Sequence, residues 1–168
     1  MSFKKVLYVG GQKSGKTALA LKHTLKLSKN KKLPIYIATY KNNFNDKSMK
    51  NRVKAHKKER LNLFHTIEKS KDLNSVIQKN NSYMIDCLSM WIFNNLDKNK
   101  SYFKKHLKKL MKKDANIVFV LNNVNSGVIP IEKLSRKFID ITGIVGKMVA
   151  HYCDEVYIVN YGIKTKIK

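Results

Sequence analysis

The amino-acid sequence predicts an α/β fold in which helices cover both faces of a mainly parallel sheet. Three observations predict it: short apolar runs without alternation, helical patterns between those runs, and a glycine-rich loop between the first run and the first helical pattern. The 168 residues suffice for one domain with a sheet of four to six strands. No linker divides the chain, so residues 1–168 are predicted to form that single domain.

Five apolar runs predict the strands. Each is rich in β-branched and aromatic residues and lacks the alternation of a half-exposed strand, so each is expected to be buried on both faces. The runs are Val6–Val9, Ile35–Ala38, Tyr83–Ile85, Ile117–Leu121 and Val156–Val159.

Helical patterns separate or follow these runs. One follows the glycine-rich loop, and a second is a basic amphipathic segment over Tyr102–Lys113. The longest pattern comes last. It is predicted to start just after Pro130, because a helix start tolerates proline. The polar, basic segment Lys41–Arg60 lacks core positions and is predicted to be a surface excursion. The apolar stripe of the last helix is Ile131, Leu134, Phe138, Ile141, Val145 and Val149.

The composition limits the classes of partner and compartment. A hydrophobic fraction of 43% excludes general disorder, and the net charge of +24 fits either a polyanion-binding protein or lysines spread over solvated faces. The second interpretation is favoured, with nucleic acid an unlikely partner, because lysines occur in every segment. Cys87 and Cys153 lack zinc-site spacing and are predicted to be buried reduced thiols. Since no signal peptide or membrane-spanning run is found, a soluble cytoplasmic protein is expected.

The glycine-rich loop reads Gly10-Gly11-Gln12-Lys13-Ser14-Gly15-Lys16-Thr17 and fits the P-loop pattern G-x-x-x-x-G-K-[ST]. Its backbone N–H groups and the helix that follows would hold the phosphates of a nucleotide. In this pattern Lys16 reaches the β- and γ-phosphates, and the Thr17 hydroxyl ligates Mg²⁺. The first strand before the loop and the helical pattern after it supply the context that the motif needs. The chain is therefore predicted to be a P-loop nucleotide-binding protein with a three-layer fold.

A metal at a P-loop needs an acidic partner that ends a neighbouring strand. Asp86 follows the run Tyr83–Ile85 and is the candidate. The alternative is that Asp86 caps the helix that follows, which aspartate does well.

Several further motifs occur in a recognisable order along the whole chain and resemble one family. They include Tyr36–Thr39, Asp46 with Met49, Arg52 and His56, Tyr83–Leu88 with Trp91, Asn94–Leu96, Asn122, Val124, Gly127–Pro130, Arg136, Phe138, Asp140, Gly143, and Asp154–Val159 with Gly162 and Lys166–Lys168. The series is similar to the bifunctional adenosylcobinamide kinase/adenosylcobinamide-phosphate guanylyltransferase family of cobalamin biosynthesis. The resemblance implies a transferase with a corrinoid substrate, ATP or GTP as phosphoryl donor, Mg²⁺, and assembly into a trimer. It also implies GMP transfer from GTP through a GMP-histidine intermediate.

The resemblance assigns the guanylylated histidine to His56. On a helix, Arg52 and His56 would share a face, so Arg52 could meet the phosphates of the nucleotide that His56 attacks. The surrounding cations disfavour imidazolium and leave a ring nitrogen free to attack. The alternative is a solvated histidine on a basic helix. The other histidines match nothing in the family and are interpreted as surface or packing residues.

Other nucleotide contacts follow from position and from the resemblance. Residues Ala38, Thr39 and Tyr40 follow the second strand, at the edge where open α/β sheets bind ligands. The resemblance adds Glu68 as a nucleotide-binding carboxylate, with an ordinary helix-start acid as the alternative. It also places guanine-nucleotide contacts on the residues after His56, which are Lys57, Lys58, Glu59 and Arg60.

The sequence departs from the family at a few positions. Asn123 and Asn125 replace a glutamate and a glycine, and in the last helix Ile139, Ile144 and Gly146 replace two arginines and an asparagine. These changes weaken any phosphate or corrinoid contact made there, so the sequence leaves open that one of the two activities is reduced or lost. Two alternatives remain at this stage: another P-loop kinase that does not use His56, and a nucleotide- or nucleic-acid-binding module with decayed catalytic residues.

Overall fold

The computed structural model describes residues 3–28, 32–41 and 62–168. In this part of the chain, seven strands form one sheet. The strands are β1 (Lys5–Gly10), β2 (Ile35–Ala38), β3 (His65–Glu68), β4 (Ser82–Asp86), β5 (Asn116–Asn122), β6 (Glu155–Asn160) and β7 (Ile163–Lys166). Their order across the sheet is β3-β2-β4-β5-β1-β6-β7. All neighbours are parallel except β6 and β7, which are antiparallel.

Helices cover both faces of this sheet. They are α1 (Lys16–Leu27), α2 (Leu88–Phe93), α3 (Lys100–Met111) and α4 (Lys133–Tyr152), with a short 3₁₀ helix at Leu73–Ser75. Residues of α1 pack with Val6 and Tyr8 on one face, whereas α2, α3 and α4 pack with Leu7 on the other. Because successive residues of β1 are buried on opposite faces, the three-layer α/β fold is confirmed.

The strand count exceeds the predicted four to six because two edge strands carry no apolar run. Strand β3 (His-Thr-Ile-Glu) is only partly covered, and all four residues of β7 are exposed. Lys164 and Lys166 on β7 protect the open edge of the sheet from pairing with another chain. Helix α2 was assumed only as the helix that Asp86 would cap and its bounds were not predicted, since six residues are too few to show a helical period.

The last predicted helix is present as α4, but it begins later than the apolar pattern predicted. Its first residue is Lys133, and the Glu132 carboxylate caps it by accepting hydrogen bonds from the N–H groups of Leu134 (2.8 Å) and Ser135 (2.6 Å). Ile131 is 96% exposed and Leu134 is 52% exposed, so their inclusion in the core stripe was wrong. The buried apolar stripe starts about two turns after Leu134 and consists of Ile141, Val145 and Val149.

The two thiols are buried and free, as predicted. Burial raises the pKa of Cys87 to about 11 and that of Cys153 to about 12, so both stay protonated near neutral pH. Two of the unassigned histidines are packing residues: His23 lies against Tyr8, and His106 against Trp91. None of the described helices combines the length and apolarity needed to cross a bilayer.

Candidate nucleotide-binding site

The P-loop lies between the end of β1 and the start of α1, at the carboxyl edge of the sheet. Gly10 ends the strand, and α1 begins at Lys16 as the motif predicted. Between them the chain turns through left-handed conformations at Lys13 (φ 58°) and Gly15 (φ 89°). Gly15 is the N-cap residue of α1, so the partial positive charge of the helix end faces the loop.

Gly10 has no room for a side chain. A Cβ atom there would lie 2.5 Å from both the Ser14 hydroxyl oxygen and the Val159 carbonyl oxygen. The first contact is with the loop itself and the second with the backbone of β6. The glycine therefore lets the loop fold back tightly over the strand ends.

Two polar side chains of the loop are almost fully buried. Lys16 is 7% exposed, and its ammonium group donates to the Gly11 carbonyl oxygen at 2.9 Å. Ser14 is 8% exposed, and its hydroxyl oxygen has no hydrogen-bond partner among the described residues. A buried hydroxyl without a partner costs free energy unless something binds it. Both groups are suited to an anion seated in the loop.

Thr17 and Asp86 meet beside the P-loop, although 69 residues separate them in sequence. The Thr17 hydroxyl donates to the Asp86 carboxylate at 3.4 Å, and the Tyr36 hydroxyl donates to the same carboxylate oxygen at 2.7 Å. Asp86 ends β4, and α2 starts only at Leu88 with Cys87 as its N-cap residue. The alternative interpretation of Asp86 as the helix cap is therefore wrong.

The Thr17–Asp86 pair fits a magnesium ion bound together with nucleotide phosphates. A hydroxyl and a carboxylate are hard oxygen ligands, and Mg²⁺ at P-loops takes its other ligands from phosphates and water. Over the described ranges, no group of three or more His, Cys, Asp or Glu side chains forms a metal cage. A P-loop metal site needs no such cage.

Replacing Tyr36 by phenylalanine tests the support given to Asp86. We expect Tyr36→Phe to raise the Mg²⁺ concentration for half-maximal activity about tenfold, since outer-shell partners typically contribute 10- to 100-fold to metal affinity. The ring packs against Phe64 and is retained, so the unfolding midpoint should change little. Tyr83→Phe is the matched control, because its buried hydroxyl accepts from Gln78 N toward the other end of β4. An equal rise in both variants would contradict the assignment.

Residues at the end of β2 lie at the same edge of the sheet. Ala38 pairs with Asp86 on one side and with Glu68 on the other. Thr39 is fully buried, and its hydroxyl donates to the Cys87 carbonyl oxygen (2.8 Å) and accepts from Cys87 N (2.9 Å). Its side chain thus joins β2 to the start of α2. Tyr40, by contrast, is only partly buried.

Glu68 is exposed and ends β3, so the alternative that it is a helix-start acid is wrong. It stays a predicted nucleotide-binding residue, as do Ala38, Thr39 and Tyr40 at the end of β2. The histidine His56 and its neighbours lie outside the described residues. These neighbours are Arg52, Lys57, Lys58, Glu59 and Arg60.

Residues that differ from the family pattern lie beside the P-loop, where α4 comes near the end of β5. Asn123 N donates to the Gly10 carbonyl oxygen at 2.9 Å, and the Asn125 amide donates to the Ile139 carbonyl oxygen at 2.9 Å. A Cβ atom on Gly146 would lie 3.0 Å from a Leu121 methyl group. The glycine therefore allows α4 to approach β5 closely, which offsets part of its cost of about 1 kcal/mol in a helix.

An apolar pocket of about 300 Å³ opens between α2, the end of β5 and α4. Asn122, which pairs with Gly10 of the P-loop, lies at its floor. Sequence reasoning did not identify this pocket, because its walls come from the short helix α2, whose bounds were not predicted, and from a helix whose start was predicted too early. Its lining is Ser89, Met90, Phe93, Asn122, Val124, Leu134, Ser135 and Phe138.

Known proteins resemble this chain over almost its whole length. A family model described as cobinamide kinase / cobinamide phosphate guanyltransferase matches residues 6–167. The bifunctional adenosylcobalamin biosynthesis protein CobU of Escherichia coli (strain K12) is 27% identical over 185 residues, which cover 97% of this chain and 99% of that protein. The bifunctional adenosylcobalamin biosynthesis protein CobP of Pseudomonas aeruginosa is 27% identical over 175 residues, which cover 96% of this chain and 96% of that protein.

One solved structure supports the fold. A protein from Pyrococcus horikoshii OT3 superposes with a TM-score of 0.52, covering 100% of this chain and 88% of that chain. Its sequence identity is 11%, so the likeness concerns the fold alone.

Proposed function

We propose that this chain, which belongs to the cobinamide kinase / cobinamide phosphate guanyltransferase family, catalyses both of the family's reactions. The chain is a transferase. It phosphorylates adenosylcobinamide with an NTP and then transfers GMP from GTP to adenosylcobinamide phosphate, giving adenosylcobinamide-GDP. The observation that carries the proposal is the convergence of Lys16, Thr17 and Asp86 on the P-loop of a chain whose family match spans residues 6–167.

In the kinase step, the aminopropanol hydroxyl oxygen attacks the γ-phosphorus of the NTP. An oxygen–phosphorus bond forms, the bond from the γ-phosphorus to the β,γ-bridging oxygen breaks, the NDP leaves and the hydroxyl proton is released. Lys16 stabilises the charge that builds on the β- and γ-phosphate oxygens. The buried Ser14 hydroxyl donates to a phosphate oxygen, which would satisfy its hydrogen bond.

Thr17 and Asp86 would hold the magnesium ion. Their oxygens lie 3.4 Å apart, and the Tyr36 hydrogen bond fixes the carboxylate. When bound, Mg²⁺ neutralises charge on the β- and γ-phosphates. The protein's own contribution is to orient these two ligands at the end of β4 and the start of α1.

The pocket between α2 and α4 gives the acceptor a place beside the terminal phosphate. It adjoins Asn122, next to the P-loop strand, and its walls are mostly apolar. A corrinoid side arm has apolar methylene and methyl groups that such walls would cover, since burial of apolar surface is favourable. This placement leaves the P-loop itself to the nucleotide.

In the guanylyltransferase step, a ring nitrogen of His56 attacks the α-phosphorus of GTP. A nitrogen–phosphorus bond forms, the bond to the α,β-bridging oxygen breaks, and pyrophosphate leaves. A phosphate oxygen of adenosylcobinamide phosphate then attacks the same phosphorus and releases His56. The family match supports this role, and so do the cationic neighbours Arg52, Lys57 and Lys58, which offset the developing charge.

Labelled GTP tests this second half. The purified protein is incubated with Mg²⁺ and GTP labelled at the α-phosphate, then denatured and separated from free nucleotide. We expect label on the chain that is labile in acid and stable in alkali, as a phosphoramidate is, and no label from γ-labelled GTP. Retention of GTP binding without covalent label would overturn the histidine intermediate and leave a kinase.

We further propose that the subunits assemble as a trimer and work in the cytoplasm. The family resemblance supports the assembly, and a corrinoid site between subunits would follow from it. Sedimentation equilibrium should give a mass of about three times the 19.5 kDa chain. A monomer at micromolar concentration would contradict the assembly and, with it, a corrinoid site between subunits.

A further inference from the structure

The turn between β6 and β7 lies directly against the P-loop. Gly162 N donates to the Ser14 carbonyl oxygen at 2.9 Å, and a Cβ atom on Gly15 would lie 3.2 Å from the Gly162 Cα atom. The turn is therefore fixed at the edge of the phosphate-binding loop. Tyr161 immediately precedes Gly162, so its backbone lies next to the P-loop.

The backbone of this turn does not favour tyrosine. Asn160 pairs with Ile163, which leaves Tyr161 and Gly162 as a two-residue hairpin loop. Their φ values are 52° and 80°, both in the left-handed region. Hairpin turns of this kind select Asn, Asp or Gly at the first position, because a Cβ atom on a larger residue crowds the backbone there. The local fold thus gives no reason for an aromatic residue.

Packing gives no reason either. Tyr161 is 98% exposed, more than any other large hydrophobic side chain in the described part of the chain. A strained backbone position that holds a fully exposed ring is the kind of outlier that marks a functional site. The ring would gain from a flat apolar partner that covers it.

The direction of the bound nucleotide supplies that partner. The sheet order places β4, with Asp86 at its end, on one side of β1, and β6 with β7 on the other. In the proposed function, the β- and γ-phosphates would lie toward the proposed metal ligands Thr17 and Asp86, whose oxygens are 3.4 Å apart. The nucleoside is attached to the opposite end of the polyphosphate, so it leaves the loop toward the β6–β7 turn.

We propose that the Tyr161 ring is the stacking platform for the nucleobase of the nucleotide held by the P-loop. The inference rests on the proposed function, since it requires a nucleotide at that loop. Stacking uses the π-face that every base has and discriminates weakly between bases. The kinase step should therefore accept ATP and GTP with similar affinity.

The test compares Tyr161→Asn and Tyr161→Phe with the wild-type protein by titration calorimetry. The probes are Mg²⁺ with β,γ-imido-ATP and Mg²⁺ with inorganic tripolyphosphate, each also titrated into Lys16→Ala. Tyr161→Asn suits the turn better but removes the ring. We expect it to bind the ATP analogue about tenfold more weakly, to bind tripolyphosphate within twofold of wild type, and to unfold at the same temperature or higher. Tyr161→Phe should bind both probes as the wild type does.

Other outcomes separate the inference from its premise. If the wild type binds both probes in a Lys16-dependent way and Tyr161→Asn binds the ATP analogue equally well, the stacking role is overturned and the P-loop site stands. If neither probe shows Lys16-dependent binding, the proposed kinase function itself fails. If Tyr161→Asn loses affinity for both probes alike and changes its sedimentation, Tyr161 is a subunit contact and the stacking role is overturned.

Discussion

Replacing Lys16 by alanine should lower kcat/KM for phosphorylation of adenosylcobinamide by roughly 100-fold or more. The side chain is 7% exposed and already lies inside the loop, with its ammonium group 2.9 Å from the Gly11 carbonyl oxygen. Removing one preorganised donor from a transition state typically costs about 10²- to 10³-fold in rate. The assay follows adenosylcobinamide phosphate by mass spectrometry with ATP as donor.

Lys22→Ala is the matched control for this variant. Lys22 is exposed on the same helix, α1, and carries the same charge, so its loss changes the general field without touching the loop. Alanine is a strong helix former at either position, so both variants should fold. Similar rate losses in the two variants would mean that the protein's overall charge of +24, and not the P-loop lysine, supports the reaction.

Replacing His56 by alanine should abolish covalent labelling from α-labelled GTP while the kinase step persists. The imidazole nitrogen is the proposed nucleophile, and alanine offers no substitute, so label should fall to the background of denatured protein. Phosphorylation of adenosylcobinamide should stay within about threefold of wild type, since the proposed kinase groups are Lys16, Thr17 and Asp86. The two variants, Lys16→Ala and His56→Ala, would thereby separate the kinase activity from the guanylyltransferase activity.

His65→Ala is the matched control for the second variant. His65 is an exposed histidine at the start of β3, away from the carboxyl edge of the sheet. It should keep full labelling. Persistent label in His56→Ala that disappears in His65→Ala would move the nucleophile and contradict the family assignment.

The parts of the fold that the sequence predicts are those with a strong local signal. The P-loop lies between a strand and a helix as predicted, and all five apolar runs lie in strands. Most residues of these runs are buried, as expected of strands covered on both faces, but Ile158 in β6 is exposed. Helix α3 was predicted from Phe103, Leu107 and Leu110, and all three are fully buried. Thr17 and Asp86, which the sequence analysis assigned to one metal ion, lie side by side with their oxygens 3.4 Å apart.

The parts that sequence reasoning missed depend on tertiary contacts. Strands β3 and β7 exist because a neighbour offers hydrogen bonds, not because their own residues demand burial. The Glu132 cap decided where α4 begins, although the apolar pattern started at Ile131. Nothing in the local sequence shows that the Tyr36 hydroxyl reaches Asp86, because 50 residues separate them. Likewise, only the hairpin geometry reveals that Tyr161 occupies a position suited to glycine or asparagine.

Asn125 and Gly146, which differ from the family pattern, are accommodated by local contacts. The Asn125 amide donates to a backbone carbonyl oxygen of α4, and Gly146 allows close packing against Leu121. These contacts support the proposal that the P-loop edge keeps its shape despite the changes. Nothing in the described contacts gives Ile144 a role beyond partial burial.

The most direct measurement is a product analysis with the wild-type protein, Mg²⁺ and adenosylcobinamide. With ATP alone, we expect adenosylcobinamide phosphate as the end product. With ATP and GTP together, we expect adenosylcobinamide-GDP and one pyrophosphate per product molecule. Nucleotide binding without either corrinoid product, in a folded protein, would contradict the proposed function and leave a nucleotide-binding module with decayed catalytic residues.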